Sequence, residues 1–249
     1  MLSNQPVVHD RHLVKEIFHN MKRNNVHRNA FEIPSNLTIV LCRNRGSLAH
    51  KTIPHLSGYE EYPILQQNLE YLGINDYVVL SKELPWRWTD KIRLILKFLQ
   101  EEKCDTELLM YCDPIDVIFR DSPQRVIDIF ESSNCDLLFM STKLGVNDGY
   151  NCMPDVKLWA DSDPERRGRY INAGVFIGKT TFIKEFLEDS LNYCTDNDCM
   201  THNWQEYLKS KPVNFPVGGA DQDIFRFLEP KYYPRVKVEI GRASCRERV

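Results

Sequence analysis

The sequence predicts an α/β protein: a mostly parallel sheet with helices on both faces. Strand-length apolar runs alternate with segments of helical period from Leu37 to Leu228. The runs Leu37–Cys42 and Glu107–Tyr111 are near-continuously apolar, as strands covered on both faces must be. Helix-opening and helix-closing residues fall between the runs, with Ser122-Pro123 before one periodic segment and Gly73 after another.

The elements follow in order. Met1–Ser35 is polar with a weak helical repeat through Leu13, Ile17, Phe18 and Met21, and reads as an N-terminal helix or arm. Its histidines, His9, His12, His19 and His27, define no ligand face and read as surface residues. Leu37–Cys42 is a strand entering the polar turn Arg43-Asn44-Arg45-Gly46. Tyr62–Leu72 is a helix ending at Gly73, Tyr77–Leu80 a strand, and Thr89–Glu102 a helix with Ile92, Ile95, Leu96 and Leu99 on one face. After the strand Glu107–Tyr111 come a helix over Ser122–Glu131 and a strand over Cys135–Ser141. Gly145–Arg169, rich in Asp, Pro and Gly, reads as a long loop suited to a lid or specificity insertion. Tyr170–Gly178 is then a strand, Thr181–Tyr193 a helix, and Asp221–Leu228 the start of another.

Composition narrows the classes. The 249 residues, 42% hydrophobic and 27% charged with a mean hydropathy of -0.44, fit one ordinary globular domain. No stretch reaches the roughly 18 apolar residues of a membrane-spanning helix. Met1–Asp10 lacks the basic and apolar regions of a secretory signal. Ile240–Val249 resembles a translated sequencing adapter and is set apart from the fold, so the natural chain is expected to continue past Val238. That segment carries three Arg and one Glu, a charge of +2, so the remainder goes from -3 to -5, which argues against nucleic acid as a partner. The expected division is an arm over 1–35, one α/β domain over 36–239 and the adapter-like tail over 240–249.

The cysteines show no paired spacing for zinc. Cys42, Cys112 and Cys135 lie in apolar runs and read as buried thiols, while Cys194 and Cys199 could either close a small loop or stay reduced. Asn36-Leu37-Thr38 is a formal glycosylation sequon that runs straight into a strand. The compartment and the oligomeric state stay open; a secretory lumen requires residues preceding Met1.

The chemistry sits at the end of the run Leu108–Cys112. Asp113 and Asp116 flank Pro114-Ile115 in a turn beyond a strand's carboxyl end, where ligands of open α/β sheets collect. Two carboxylates there suit a hard divalent cation, though Asp and Pro also form turns for purely local reasons. A phosphohydrolase with Asp113 as nucleophile would want its acids one residue apart, and a nucleotidyltransferase would open on a glycine-rich loop that Cys42–Ser47 matches poorly.

Four blocks in order make the pattern specific. Lys91-Ile92-Arg93-Leu94, Tyr111-Cys112-Asp113-Pro114-Ile115-Asp116-Val117-Ile118-Phe119, Tyr170–Gly178 with Asn172-Ala173-Gly174, and Asp221-Gln222-Asp223-Ile224-Phe225 together resemble the glycosyltransferase domain of procollagen lysyl hydroxylases and their collagen glycosyltransferase relatives. The resemblance spans roughly Leu37–Leu228 and implies the GT-A fold. It further implies transfer of a hexose from a UDP-sugar to a hydroxyl acceptor on protein or peptide, with Mn²⁺ or Mg²⁺ assisting the departure of UDP. The metal ligands implied are Asp113 and Asp116. The donor-binding set is Cys42, Lys91, Tyr111, Asp113, Asn172 and Gly174, and the catalytic pair is Asp221 and Gln222. Lys91 would approach the nucleotide; read alone, it is an exposed lysine in a first helical turn. Gly174 would admit the sugar or serve packing, and Asp221 would orient or deprotonate the acceptor or cap its helix. Met153 stands where relatives carry an aromatic, Gly219-Ala220 where an acidic run is common, and a downstream histidine ligand has no counterpart, His202 lying upstream. Those departures leave a catalytically inactive nucleotide-sugar-binding or structural module as the alternative.

Overall fold

The computed structural model describes residues 7–9, 11–26, 31–45, 63–83, 89–142, 154–162, 170–194 and 221–238. Among them the strands are β1 (Val7–His9), β2 (Leu37–Arg45), β3 (Val78–Glu83), β4 (Leu108–Cys112), β5 (Val117–Phe119), β6 (Leu137–Thr142), β7 (Tyr170–Lys179) and β8 (Val236–Val238). The helices are α1 (Arg11–Arg23), α2 (Ile64–Tyr71), α3 (Asp90–Gln100), α4 (Pro123–Ser132), α5 (Pro154–Ser162), α6 (Thr180–Leu191) and α7 (Asp221–Tyr232). Six strands form one sheet in the order β3-β2-β4-β7-β6-β8. β7 runs antiparallel to both β4 and β6, and the other strands run parallel to one another. The sheet is therefore mostly parallel, as the sequence predicts, and carries one reversed strand, β7. No helix among the described residues is long and apolar enough to cross a membrane.

Strand periodicity sorts the core into two layers. Ile39, Leu41, Leu108, Met110 and Cys112 face α1, α2 and α4 through Val14, Phe18, Leu65, Leu69, Val126 and Phe130. Their neighbours Val40, Cys42, Leu109 and Tyr111 face α3, α6 and α7 through Ile92, Ile95, Phe186, Ile224 and Phe225. The N-terminal segment joins the first layer, since Val14, Phe18 and Met21 are buried there and β1 pairs with β5 in a small second sheet.

The helix ends are set by local chemistry. Ser122 accepts a hydrogen bond from the Gln124 amide, with Pro123 as the first residue of α4. α2 closes in a Schellman motif: the Gly73 amide donates to Glu70 O, the Ile74 amide to Leu69 O, and Gly73 adopts a φ of 74°. One expectation is corrected. The stretch 145–169 contains helix α5 and is not a continuous loop. Proline favours the first helical position as well as loops, and Pro154 here opens the helix. Ala160 packs with Tyr170, whose hydroxyl donates to Asp161 at 2.6 Å. Residues 143–153, including Cys152 and Met153, lie outside the described residues, as do Cys199, His202, Gly219-Ala220 and the tail 239–249.

Candidate active site

The carboxyl ends of β2 and β4 and the amino-terminal half of the reversed β7 meet at one edge of the sheet. The edge depends on an irregularity in β7. Opposite β6, Phe176 faces Phe139 and Asn172 faces Met140, so Ala173, Gly174 and Val175 have no partner on that side. The side-chain phase slips with them: Ile171, Ala173 and Phe176 lie in one layer, Val175 and Ile177 in the other. Backbone groups freed in a buried bulge must find other partners. Ala173 and Gly174 find three side chains that the sequence singles out, Lys91, Asn172 and Gln222, and the main-chain amide of Asp113.

Lys91, in the first turn of α3, donates to Ala173 O at 2.9 Å. Gln222, at the start of α7, accepts from the Ala173 amide at 3.3 Å. Asn172 folds back to accept from the Gly174 amide at 2.8 Å, and Gly174 O accepts from the Asp113 amide at 2.7 Å. Arg226, absent from the sequence-derived set, donates from Nε to Ile171 O at 3.0 Å and lies 3.7 Å from the Asp223 carboxylate. It is 2% exposed. Only its spacing from Asp223, one helical turn, could have flagged it in the sequence.

Charge is concentrated on this frame. The Lys91 ammonium pairs with the Asp221 carboxylate, lies 3.9 Å from Asp113 Oδ1 and sits 4.6 Å from the centre of the Tyr111 ring. The Tyr111 hydroxyl donates to the same Asp113 oxygen. Lys91 and Asp221 are buried, with side chains 7% and 8% exposed, whereas Asp113 keeps 34%. Lys91 is thus not the exposed first-turn lysine that its residue type alone suggests.

The protonation states follow from these neighbours. Burial opposes the charge on Lys91, but Asp113 and Asp221 outweigh it and hold the ammonium above its ordinary range. Burial raises the Tyr111 phenol well above its usual value, with Asp113 acting in the same direction. Cys42, 3% exposed, lies within electrostatic reach of Lys91, Asp113 and Asp221, and burial keeps it a neutral thiol. Cys112, also buried, is raised by burial and then by Asp113. Neither thiol has the lowered pKa of a nucleophile.

Asp116 closes the turn that Asp113 opens and is partly exposed. The turn is tied to α2, where the Leu65 amide donates to Pro114 O at 3.1 Å. The site therefore has a buried floor of Cys42, Lys91, Tyr111, Ala173 and Asp221. Its accessible rim consists of Asp113, Asp116, Asn172 and Gln222. Among the described residues no three His, Cys, Asp or Glu side chains converge on a common point.

Known proteins place this edge in a family. No curated protein sequence matches the chain. A distant likeness in solved structures is to mouse xyloside xylosyltransferase 1 in its apo form, at 12% identity and a TM-score of 0.42, covering 81% of this chain and 83% of that one. The family model of the PLOD GT domain matches residues 87–212, just over half of the 249, and includes α3, the Asp113–Asp116 turn and the β7 bulge. The chain belongs to that family, the glycosyltransferase domain of the procollagen lysyl hydroxylases.

Proposed function

We propose that the chain transfers a hexose from a UDP-sugar to a hydroxyl acceptor on protein or peptide, with a divalent cation, Mn²⁺ or Mg²⁺, at Asp113 and Asp116. One observation carries the reading. A partly exposed carboxylate, Asp113, stands at the carboxyl end of β4, fixed by the Tyr111 hydroxyl and beside the Lys91–Asp221 pair.

The donor chemistry fits the cation. Asp113 and Asp116 offer oxygen ligands on a short turn, and two carboxylates leave the remaining coordination positions to water and diphosphate oxygens. When bound, the ion would offset the charge that develops on departing UDP. The protein's own residues supply placement. Gly174, buried with its amide on Asn172 and its carbonyl on the Asp113 amide, links these two rim residues. In the transfer, an acceptor oxygen bonds to the anomeric carbon as the bond from that carbon to the diphosphate oxygen breaks. The acceptor proton leaves toward a carboxylate. Asp221, buried and held in place by its pairing with Lys91, suits the part of an orienting group. Gln222, tied to Ala173, holds the start of α7 at the same place.

The test is UDP binding by titration calorimetry, with and without Mn²⁺, on the chain and on Asp116→Ala. The expected outcome is Mn²⁺-dependent binding that the variant loses. Absence of binding in the unmodified chain, or binding undiminished in the variant, would refute the assignment.

A further inference from the structure

We propose that Asn68 is a positioning residue for Asp116, acting through β5. The inference rests on the reading of Asp113 and Asp116 as the cation-holding pair. Asn68 lies in α2 and is completely buried. Its side-chain amide does what a neighbouring strand would do: Nδ2 donates to Phe119 O at 3.1 Å, and Oδ1 accepts from the Phe119 amide at 2.6 Å.

In a strand, the amide and carbonyl of one residue point to the same edge and those of the next residue to the other. With Phe119 turned to Asn68, Ile118 is turned to β1, where Val8 is its partner. β5 is therefore gripped on both edges although it has only three residues. Asp116 immediately precedes it. The same helix holds the turn a second time, through the Leu65 amide on Pro114 O. Together α2 grips the chain on both sides of Asp116, while Asp113 is fixed separately by Gly174 O and Tyr111. The two acids are thus mounted on different supports. Asp113 takes its place from the main sheet, and Asp116 takes its place from α2 and β1.

A carboxylate must stay within a few tenths of an ångström of its ion to ligate it, and loss of the groups that orient a ligand weakens metal binding by about 10- to 100-fold. Asn68→Ala removes both hydrogen bonds. Asn68→Asp keeps the shape and the acceptor but, when ionised, loses the donor to Phe119 O. The experiment measures Mn²⁺ affinity in the presence of UDP, from the paramagnetic resonance signal of free Mn²⁺, for the full chain and both variants. Thermal melting verifies that each is folded at the assay temperature. The expected result is about tenfold weaker Mn²⁺ binding in folded Asn68→Ala. Unchanged affinity in a folded variant overturns the role of Asn68 and leaves the site assignment standing. No Mn²⁺ uptake by the unmodified chain overturns both. Should neither variant fold, hydrogen exchange on the unmodified chain decides. Mn²⁺ with UDP should slow exchange of the Phe119 amide, because coupling between two sites is reciprocal, and unaltered exchange there overturns the proposal.

Discussion

Replacing Lys91 with Met tests how much of the domain's stability is invested in its candidate active site. The side chains of Lys91 and Asp221 are 7% and 8% exposed, so their pairing takes place almost out of water. Removing one member of such a pair leaves the other as an uncompensated buried charge, at a cost of about 3–5 kcal/mol. The lost hydrogen bond to Ala173 O and the lost contact with the Tyr111 ring belong to the same event and do not add in full. Methionine refills most of the space of the lysine stem, which keeps the cavity contribution small. We therefore expect a loss of about 4 kcal/mol, read as a fall in the urea midpoint at unchanged slope. For a chain of this length it corresponds to a drop in Tm of roughly 8–16 °C. The double variant Lys91→Met with Asp221→Asn should recover at least about 2 kcal/mol, because the stranded charge is gone. Additive losses, or a single-variant effect below about 1 kcal/mol, would refute the view that this pair is buried and mutually compensated. The pH dependence has a definite sign. Lys91 is raised on folding, so its contribution is complete below its unfolded pKa of about 10.4 and is lost only as pH climbs through the higher folded value.

Two other measurements probe the frame. A side chain at Gly178 would place Cβ 2.6 Å from Asp136 O, a backbone atom, so Gly178→Ala should lower stability by about 1–3 kcal/mol in chemical unfolding, and a neutral result would mean that β6 and β7 can separate freely. Asp136 bridges Lys179 and Arg235 at 2.7 Å each; these bonds outweigh its partial burial and hold its carboxyl below the ordinary value. That stabilisation is present above the unfolded pKa of about 3.9 and disappears as pH falls through the lower folded value. Asp136→Asn should thus flatten the acid limb of a stability-pH curve by no more than about 1 kcal/mol, since both partners are half exposed; a steeper limb in the variant would reverse the sign of the argument.

Legibility in the sequence varied with the physics behind each feature. β4 could be read because five successive buried residues leave an unbroken apolar run, and α4 because Ser122-Pro123 is a local signal that needs no tertiary partner. β1 and β5 could not, since three residues are too few to establish alternation and their pairing joins Val7 to Phe119 across the chain. The reversed direction of β7 left no mark, because a strand buried on both faces is apolar in either orientation. At the site, Asp113 and Asp116 stood out through their place after an apolar run. Asn68 and Arg226 did not: a polar residue in an amphipathic helix looks solvated until its partner is known, and their partners are backbone atoms 51 and 55 residues away.

The β7 bulge also bears on how the molecule assembles. Its buried carbonyls and amides are satisfied from α3, 82 residues upstream at Lys91, and from α7, 49 and 55 residues downstream at Gln222 and Arg226. Such distant closures are slow, because chain entropy must be surrendered before any contact rewards it. A nascent chain that has made β7 but not yet α7 still lacks two of these three bonds. The candidate active edge thus belongs to the late stages of folding, and in the growing polypeptide it would stay incomplete until α7 docks.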